Sequence, residues 1–111
     1  MLLLTAIIRP GTLDTVHRAL AAFGASGLTV TQVYVSTRWN RHLEVYRAAV
    51  MVADSVPRLR IEVLVAGEDA GELAGLLRRV CLTGHGGDDT FDLWAVRVEG
   101  VIRVRTGEHT T

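Results

Sequence analysis

Two strand–helix–strand runs follow one another in this chain of 111 residues, and their strands carry apolar side chains on both parities. LLLTAIIR (2–9) reads as a strand that Pro10 closes. GTLDTVHRALAAFG follows, with Leu13, Val16, Leu20 and Phe23 at helical spacing, Asp14 in the first turn and Gly24 just past the end. GLTVTQVYV (27–35) is rich in β-branched residues and predicts a second strand. After Pro57, LRIEVLV (59–65) predicts a third, and EDAGELAGLLRRVC (68–81) a second helix with Leu73, Leu76, Leu77 and Val80 on one side. Its acidic residues lead and Arg78 and Arg79 close it, matching the helix dipole. FDLWAV and VIRVR supply late strands, separated near Gly100. This order predicts a single domain over 1–111 with a ferredoxin-like α+β sandwich, an antiparallel sheet covered on one face by two helices. Leu59, Ile61, Val63 and Val65 then point one way, while Leu64 shares the other face with Arg60 and Glu62. Trp94, Val96 and Val98 likewise oppose Leu93 and Ala95. Two helices cover only one face of a four-stranded sheet, so the second apolar face is expected to bury against copies of the chain.

Between the two runs lie about 21 residues, 36–56, with no clean period of either kind. An insertion of that length in a compact domain is usually functional or disordered. From Ser36 to Arg60 it holds five arginines against Glu44 and Asp54, together with Trp39 and Tyr46, aromatics that suit a recognition surface. A mobile solvated loop with no partner is the plain alternative. The formal net charge is zero, with 12 basic and 12 acidic groups, so no global field draws the chain to nucleic acid or membrane. Any attraction to an anion is local. Every basic side chain is arginine, which excludes a Schiff-base lysine or a P-loop lysine, although codon bias would produce the same pattern. Cys81 is the single cysteine and cannot form an internal disulfide, which fits a cytoplasmic location. No run approaches the ~20 apolar residues of a membrane span.

Near the end, IRVRTGE (102–108) places two arginines two positions apart. A strand would set Arg103 and Arg105 on one face, about 7 Å apart, where they repel each other unless an anion draws value from the pair. An exposed strand face paired with carboxylates is the alternative. Other chemistry is weakly signalled. No Ser/His/Asp set has recognisable context, so a small enzyme on the same fold lacks its nucleophile and base. Cys81 continues the apolar helix face from Leu77 and reads as core. His17, His42, His85 and His109 lie on different elements without paired ligand spacing, so no metal is expected. The aromatic strand pattern of an RNA-recognition module is missing.

The segments TAIIRP (5–10), GLTVTQV (27–33), EVYRAA (44–49), PRLRIEVLV (57–65), TGHGGDD (83–89) and IRVRTGE (102–108), in this order and spacing, resemble the PII signal-transduction proteins over nearly the whole chain. The resemblance implies a homotrimer of ferredoxin-like subunits with adenine-nucleotide clefts between neighbours, and no enzymatic activity. It implies a T-loop over about 36–56 that relays the ligand to a transporter or metabolic enzyme, a glycine-rich turn over about 82–90 and a tail over 106–111. Arg103 and Arg105 match the family's phosphate contacts. Gly84, His85, Gly86, Gly87 and Asp88 match the turn whose backbone N–H groups approach those phosphates, as small residues allow. Thr29, Glu62 and Leu64 fall at the adenine end, Arg38 on the arm approaching ribose and phosphates, and Arg58 at the place of a lysine that meets the 2-oxoglutarate carboxylate.

The chain also departs from that pattern. The family's modified tyrosine is Met51 here, and a serine phosphorylated in some relatives is Ala49. Trp39 replaces a glutamine that helps ligate the magnesium of the ATP and 2-oxoglutarate complex, and an indole offers no lone pair to a metal. Arg58 still suits an anion. Asp89, Thr90 and Asp92 stand near the place of a phosphate-binding lysine. These departures point to ADP or AMP ahead of ATP and to a small anion or carboxylate such as bicarbonate. They also point to carbon regulation, near carboxysome or bicarbonate-transport systems, rather than the usual nitrogen regulation. A nitrogen regulator sensing ATP with 2-oxoglutarate remains the alternative, as does a scaffold that kept its assembly and lost its ligand.

Overall fold

The computed structural model describes residues 1–25, 27–36, 55–82 and 92–110. Strand β1 (Leu2–Ile8) leads through a short 3-10 turn (Pro10–Thr12) into helix α1 (Leu13–Phe23), and β2 (Thr29–Ser36) follows. Strand β3 (Ser55–Val65), helix α2 (Gly67–Leu82) and strand β4 (Asp92–Arg97) form the second run. The four strands pair antiparallel in the order β2-β3-β1-β4. Each helix therefore connects two strands separated by one from the other run, which is the expected ferredoxin-like α+β arrangement.

Both helices pack on the same sheet face because their apolar stripes require it. Val16 and Leu20 of α1 and Leu73 and Leu77 of α2 are buried with Leu4, Ala6, Ile8, Leu59, Ile61, Val63 and Val65. The last group has a single parity in each strand, as the alternation demands. Gly24 ends α1 at φ 97°, where a side chain would be strained. Its N–H and that of Ala25 both reach the Leu20 carbonyl, a pairing that satisfies the helix end. In α2, Glu68 and Asp69 lie in the first turn and Arg79 in the last. Leu73 is 0% exposed at the centre of this core. Leu73→Ala should cost about 2–5 kcal/mol, read as a lower urea midpoint with an unchanged slope.

Three sequence expectations are corrected here. β3 starts at Ser55, ahead of Pro57 rather than after it, and pairs with β2 as far as Ser36↔Ser55. Proline is tolerated because β1 pairs with β3 only from Leu59 onward, so Pro57 needs a partner on one side alone. The late strand VIRVR stops after β5 (Val101–Ile102), and residues expected as a tail return as β6 (His109–Thr110). Arg103 and Arg105 are thus not a pair on one strand. Arg103 closes the hairpin, its N–H donating to Glu108 O at 2.9 Å and its carbonyl accepting from Gly107 N at 2.7 Å. Arg105 sits in the intervening turn, which Gly107 completes at φ 72°. Most of the long insertion, residues 37–54, lies outside the described residues, as does the glycine-rich turn.

The face away from the helices carries three rows across β3, β1 and β4. The register sets Leu64, Leu3 and Val96 in one row, Glu62, Thr5 and Trp94 in the next, and Arg60, Ile7 and Asp92 in the third. Trp94 and Val96 are 43% and 51% exposed. Thr5 at the centre is only 2% exposed despite facing away from the helices. The parity expected for Leu64, Trp94 and Val96 is therefore the parity observed.

Candidate functional site

The β2–β3 register sets Thr29 directly opposite Glu62, and Leu64 follows Glu62 on the same face. At this end of the sheet β2 begins and β3 ends, leaving their edges open. A cleft of about 390 Å³ forms there. Thr29, Glu62 and Leu64 line it, with Gly27, Leu28, Val65 and Ala66 from the adjoining chain and Met1 and Leu3 from the start of β1. Val101, Arg103 and Thr110 of the β5–β6 hairpin form the remaining wall. Most of the lining residues are apolar, with two threonines, one glutamate and one arginine among them. That suits a flat apolar group with polar edges and an anionic tail.

The electrostatics favour the anion. Glu62 Oε2 accepts from Arg60 Nη2 at 3.1 Å and from the Thr5 hydroxyl at 3.4 Å. Its charge is therefore engaged by a neighbour on its own strand. Arg103 forms no ion pair among the described residues and lines the same cleft. Val101 and Arg103 line the cleft, although the strand on which sequence reasoning placed Arg103 ends at Ile102.

Of the sequence-derived candidates, Thr29, Glu62, Leu64 and Arg103 come together on this cleft. Arg105 does not line it. Arg58 lies opposite Val33, four residues before Glu62, which is about 13 Å along an extended strand, and its Nη1 donates to the Pro57 carbonyl at 2.8 Å. Arg38 and the run Gly84, His85, Gly86, Gly87 and Asp88 lie outside the described residues. Sequence reasoning missed Leu3, Leu28, Val101 and Thr110. Parity alone could have found Leu3, whereas Thr110 had no signal before the return strand was seen.

Among the described residues no group of three or more His, Cys, Asp or Glu side chains could hold a metal ion. No described helix is long and apolar enough to cross a membrane. Cys81 packs against the core, and burial pushes its thiol up to about 11. Protonated at neutral pH, it is a poor nucleophile. Ellman's reagent at pH 8 should label the folded protein far more slowly than the urea-unfolded chain. The raised value also means that the fold favours the proton. Stability should hold below the ordinary thiol range and decline as pH rises from there toward 11.

Residues 1–108 match the family model described as nitrogen regulatory protein P-II. The chain is 41% identical over 103 residues to the nitrogen regulatory protein P-II of Rhizobium meliloti, covering 93% of this chain and 90% of that protein. It is 36% identical over 108 residues to the nitrogen regulatory protein GlnK of Escherichia coli, covering 97% and 95%. A third relative, the nitrogen regulatory protein P-II of Mesorhizobium japonicum, is 42% identical over 104 residues, covering 93% and 90%.

Proposed function

This chain belongs to the nitrogen regulatory protein P-II family, whose members are regulatory signal-transduction proteins rather than enzymes, and we propose that it signals by binding an adenine nucleotide in the cleft between β2, β3 and the β5–β6 hairpin. The observation that carries this reading is the convergence of Thr29, Glu62, Leu64 and Arg103, from three separate segments, on one cleft. Leu28, Leu64 and Val101 would sandwich the base, Thr29 and Glu62 would meet its polar edges or the ribose, and Arg103 would hold phosphate. The protein would act as a homotrimer in the cytoplasm, with the glycine-rich turn 84–88 and Arg105 of a neighbouring copy completing the phosphate end.

Residues 36–56 would carry the state outward to a transporter or metabolic enzyme. Met51 offers no hydroxyl for modification, so the ligand itself must select the loop's conformation by binding one state better than another. Trp39 and Asp89 work against a magnesium–triphosphate complex and favour ADP or AMP. A small anion, bicarbonate among the candidates, would bind near Arg38 and Arg58, and carbon regulation fits that chemistry. The second reading is nitrogen regulation through ATP and 2-oxoglutarate, favoured by the names that the relatives carry.

Calorimetric titration with ATP, ADP, AMP and cyclic AMP in parallel tests the reading. Saturable binding without turnover is expected, with ADP or AMP competing well against ATP and 2-oxoglutarate adding little. Strong sharpening of magnesium–ATP binding by 2-oxoglutarate would instead select the nitrogen reading. Absence of binding to any of the four would leave a scaffold.

A further inference from the structure

We propose that Thr5 and Arg60 are positioning residues, which pin the Glu62 carboxylate so that its second oxygen meets one hydrogen-bond donor on the ligand. This rests on the nucleotide reading above and adds two residues that do not themselves line the cleft. Strand β1 is LLLTAII, and Thr5 is its one polar residue. It belongs to the helix-free face yet is only 2% exposed, so its hydroxyl needs a partner inside the protein. Among the described residues that partner is Glu62 Oε2, at 3.4 Å. Arg60 lies two positions before Glu62, on the same face of β3. Its Nη2 donates to the same oxygen at 3.1 Å.

The register shows how the carboxylate is divided between holding and binding. Thr29, Glu62 and Thr5 form one row across β2, β3 and β1. Thr29 and Glu62 line the cleft and Thr5 does not. One holding bond therefore comes from the β1 side of the row and the other from along β3, and both engage Oε2. Oε1 accepts no hydrogen bond among the described residues, which leaves it the oxygen for a ligand. An ionised carboxylate only accepts, so the ligand group it meets is a donor, either a ribose hydroxyl or the exocyclic amine of a base. A carboxylate already fixed by two donors gives up little side-chain freedom on binding. With either bond removed, Glu62 is free to turn, and the ligand's donor loses its partner.

Calorimetry with three ligands tests this: ADP, inosine diphosphate, which lacks the amine, and the dideoxyribose analogue of ADP, which lacks both ribose hydroxyls. The proteins are the unaltered chain, Thr5→Val, Thr5→Ser and Arg60→Met, with circular dichroism and light scattering as checks on fold and assembly. The unaltered protein should prefer ADP to one of the two analogues by about 10-fold or more, the effect of a hydrogen bond to a charged group. Thr5→Val should weaken ADP about 2- to 10-fold while leaving that analogue's affinity unchanged, so the preference contracts. Thr5→Ser keeps the hydroxyl and should restore it, and Arg60→Met should contract it further. A merely structural role would weaken all three ligands alike. Uniform weakening, an unchanged preference in either Thr5→Val or Arg60→Met, or equal binding of the three ligands by the unaltered protein overturns the positioning role and leaves the nucleotide reading intact. Failure of the unaltered protein to bind ADP overturns both. Where one variant does not fold, the other decides.

Discussion

Light scattering at micromolar concentration should report three chains per particle for this protein and one for Val96→Asp. The rows on the helix-free face explain the size of the effect. Leu64, Leu3 and Val96 form an apolar line across three strands, and Trp94 lies in the adjoining row. Trp94 and Val96 stand about half exposed on the single chain. Complete burial of such a side chain contributes about 1.5–3 kcal/mol, so covering the exposed part in every copy adds up to several kcal/mol per assembly. Aspartate at position 96 reverses the sign. Each copy would bring a carboxylate into the interface, with desolvation and mutual repulsion against association. The fold of the single chain should survive, because Val96 faces away from the core that α1 and α2 cover. A stable wild-type monomer that unfolds cooperatively would remove the trimer from consideration.

Arg103→Ala should weaken ADP binding about 10- to 150-fold, the effect of losing a charge-assisted hydrogen bond of roughly 1.5–3 kcal/mol. Arg103 lines the cleft and forms no ion pair among the described residues, and the nearby carboxylate of Glu62 is already held by Arg60. Arg105→Ala separates two geometries. Arg105 sits in the hairpin turn and does not line the cleft of its own chain. A loss comparable to that of Arg103→Ala would place Arg105 at the cleft of a neighbouring copy. A much smaller loss would leave phosphate binding to Arg103. Unchanged ADP affinity in both variants would rule out phosphate binding by this segment. Equilibrium dialysis over a range of salt concentrations checks the electrostatic part, since an exposed guanidinium–phosphate contact weakens as salt rises.

What the chain's own order of residues determined was everything that depends on local period. Alternation in LRIEVLV assigned Leu59, Ile61, Val63 and Val65 to the helix face and Leu64 to the other, and the burial follows that assignment. Spacing in the two helices marked Val16, Leu20, Leu73 and Leu77 as core, and Gly24 marked the end of α1. The motif pattern grouped Thr29, Glu62, Leu64 and Arg103, which line one cleft, together with Arg58 and Arg105, which do not line it. What needed the tertiary structure was every contact made across long sequence separations. Pro57 reads as a strand breaker until β1 is seen to end before reaching it, so that β2 alone lies beside it, with Tyr34 opposite. Arg103 and Arg105 read as a strand pair, because nothing local announces that His109 and Thr110 return beside Val101 and Ile102. The hairpin depends on a glycine at positive φ and on two backbone bonds to Arg103, neither of which has a periodic signature. Thr110 joined the cleft by that route alone. A period of two or 3.6 is written in neighbouring residues, whereas the pairing of distant backbones is settled only when the whole core has chosen its faces.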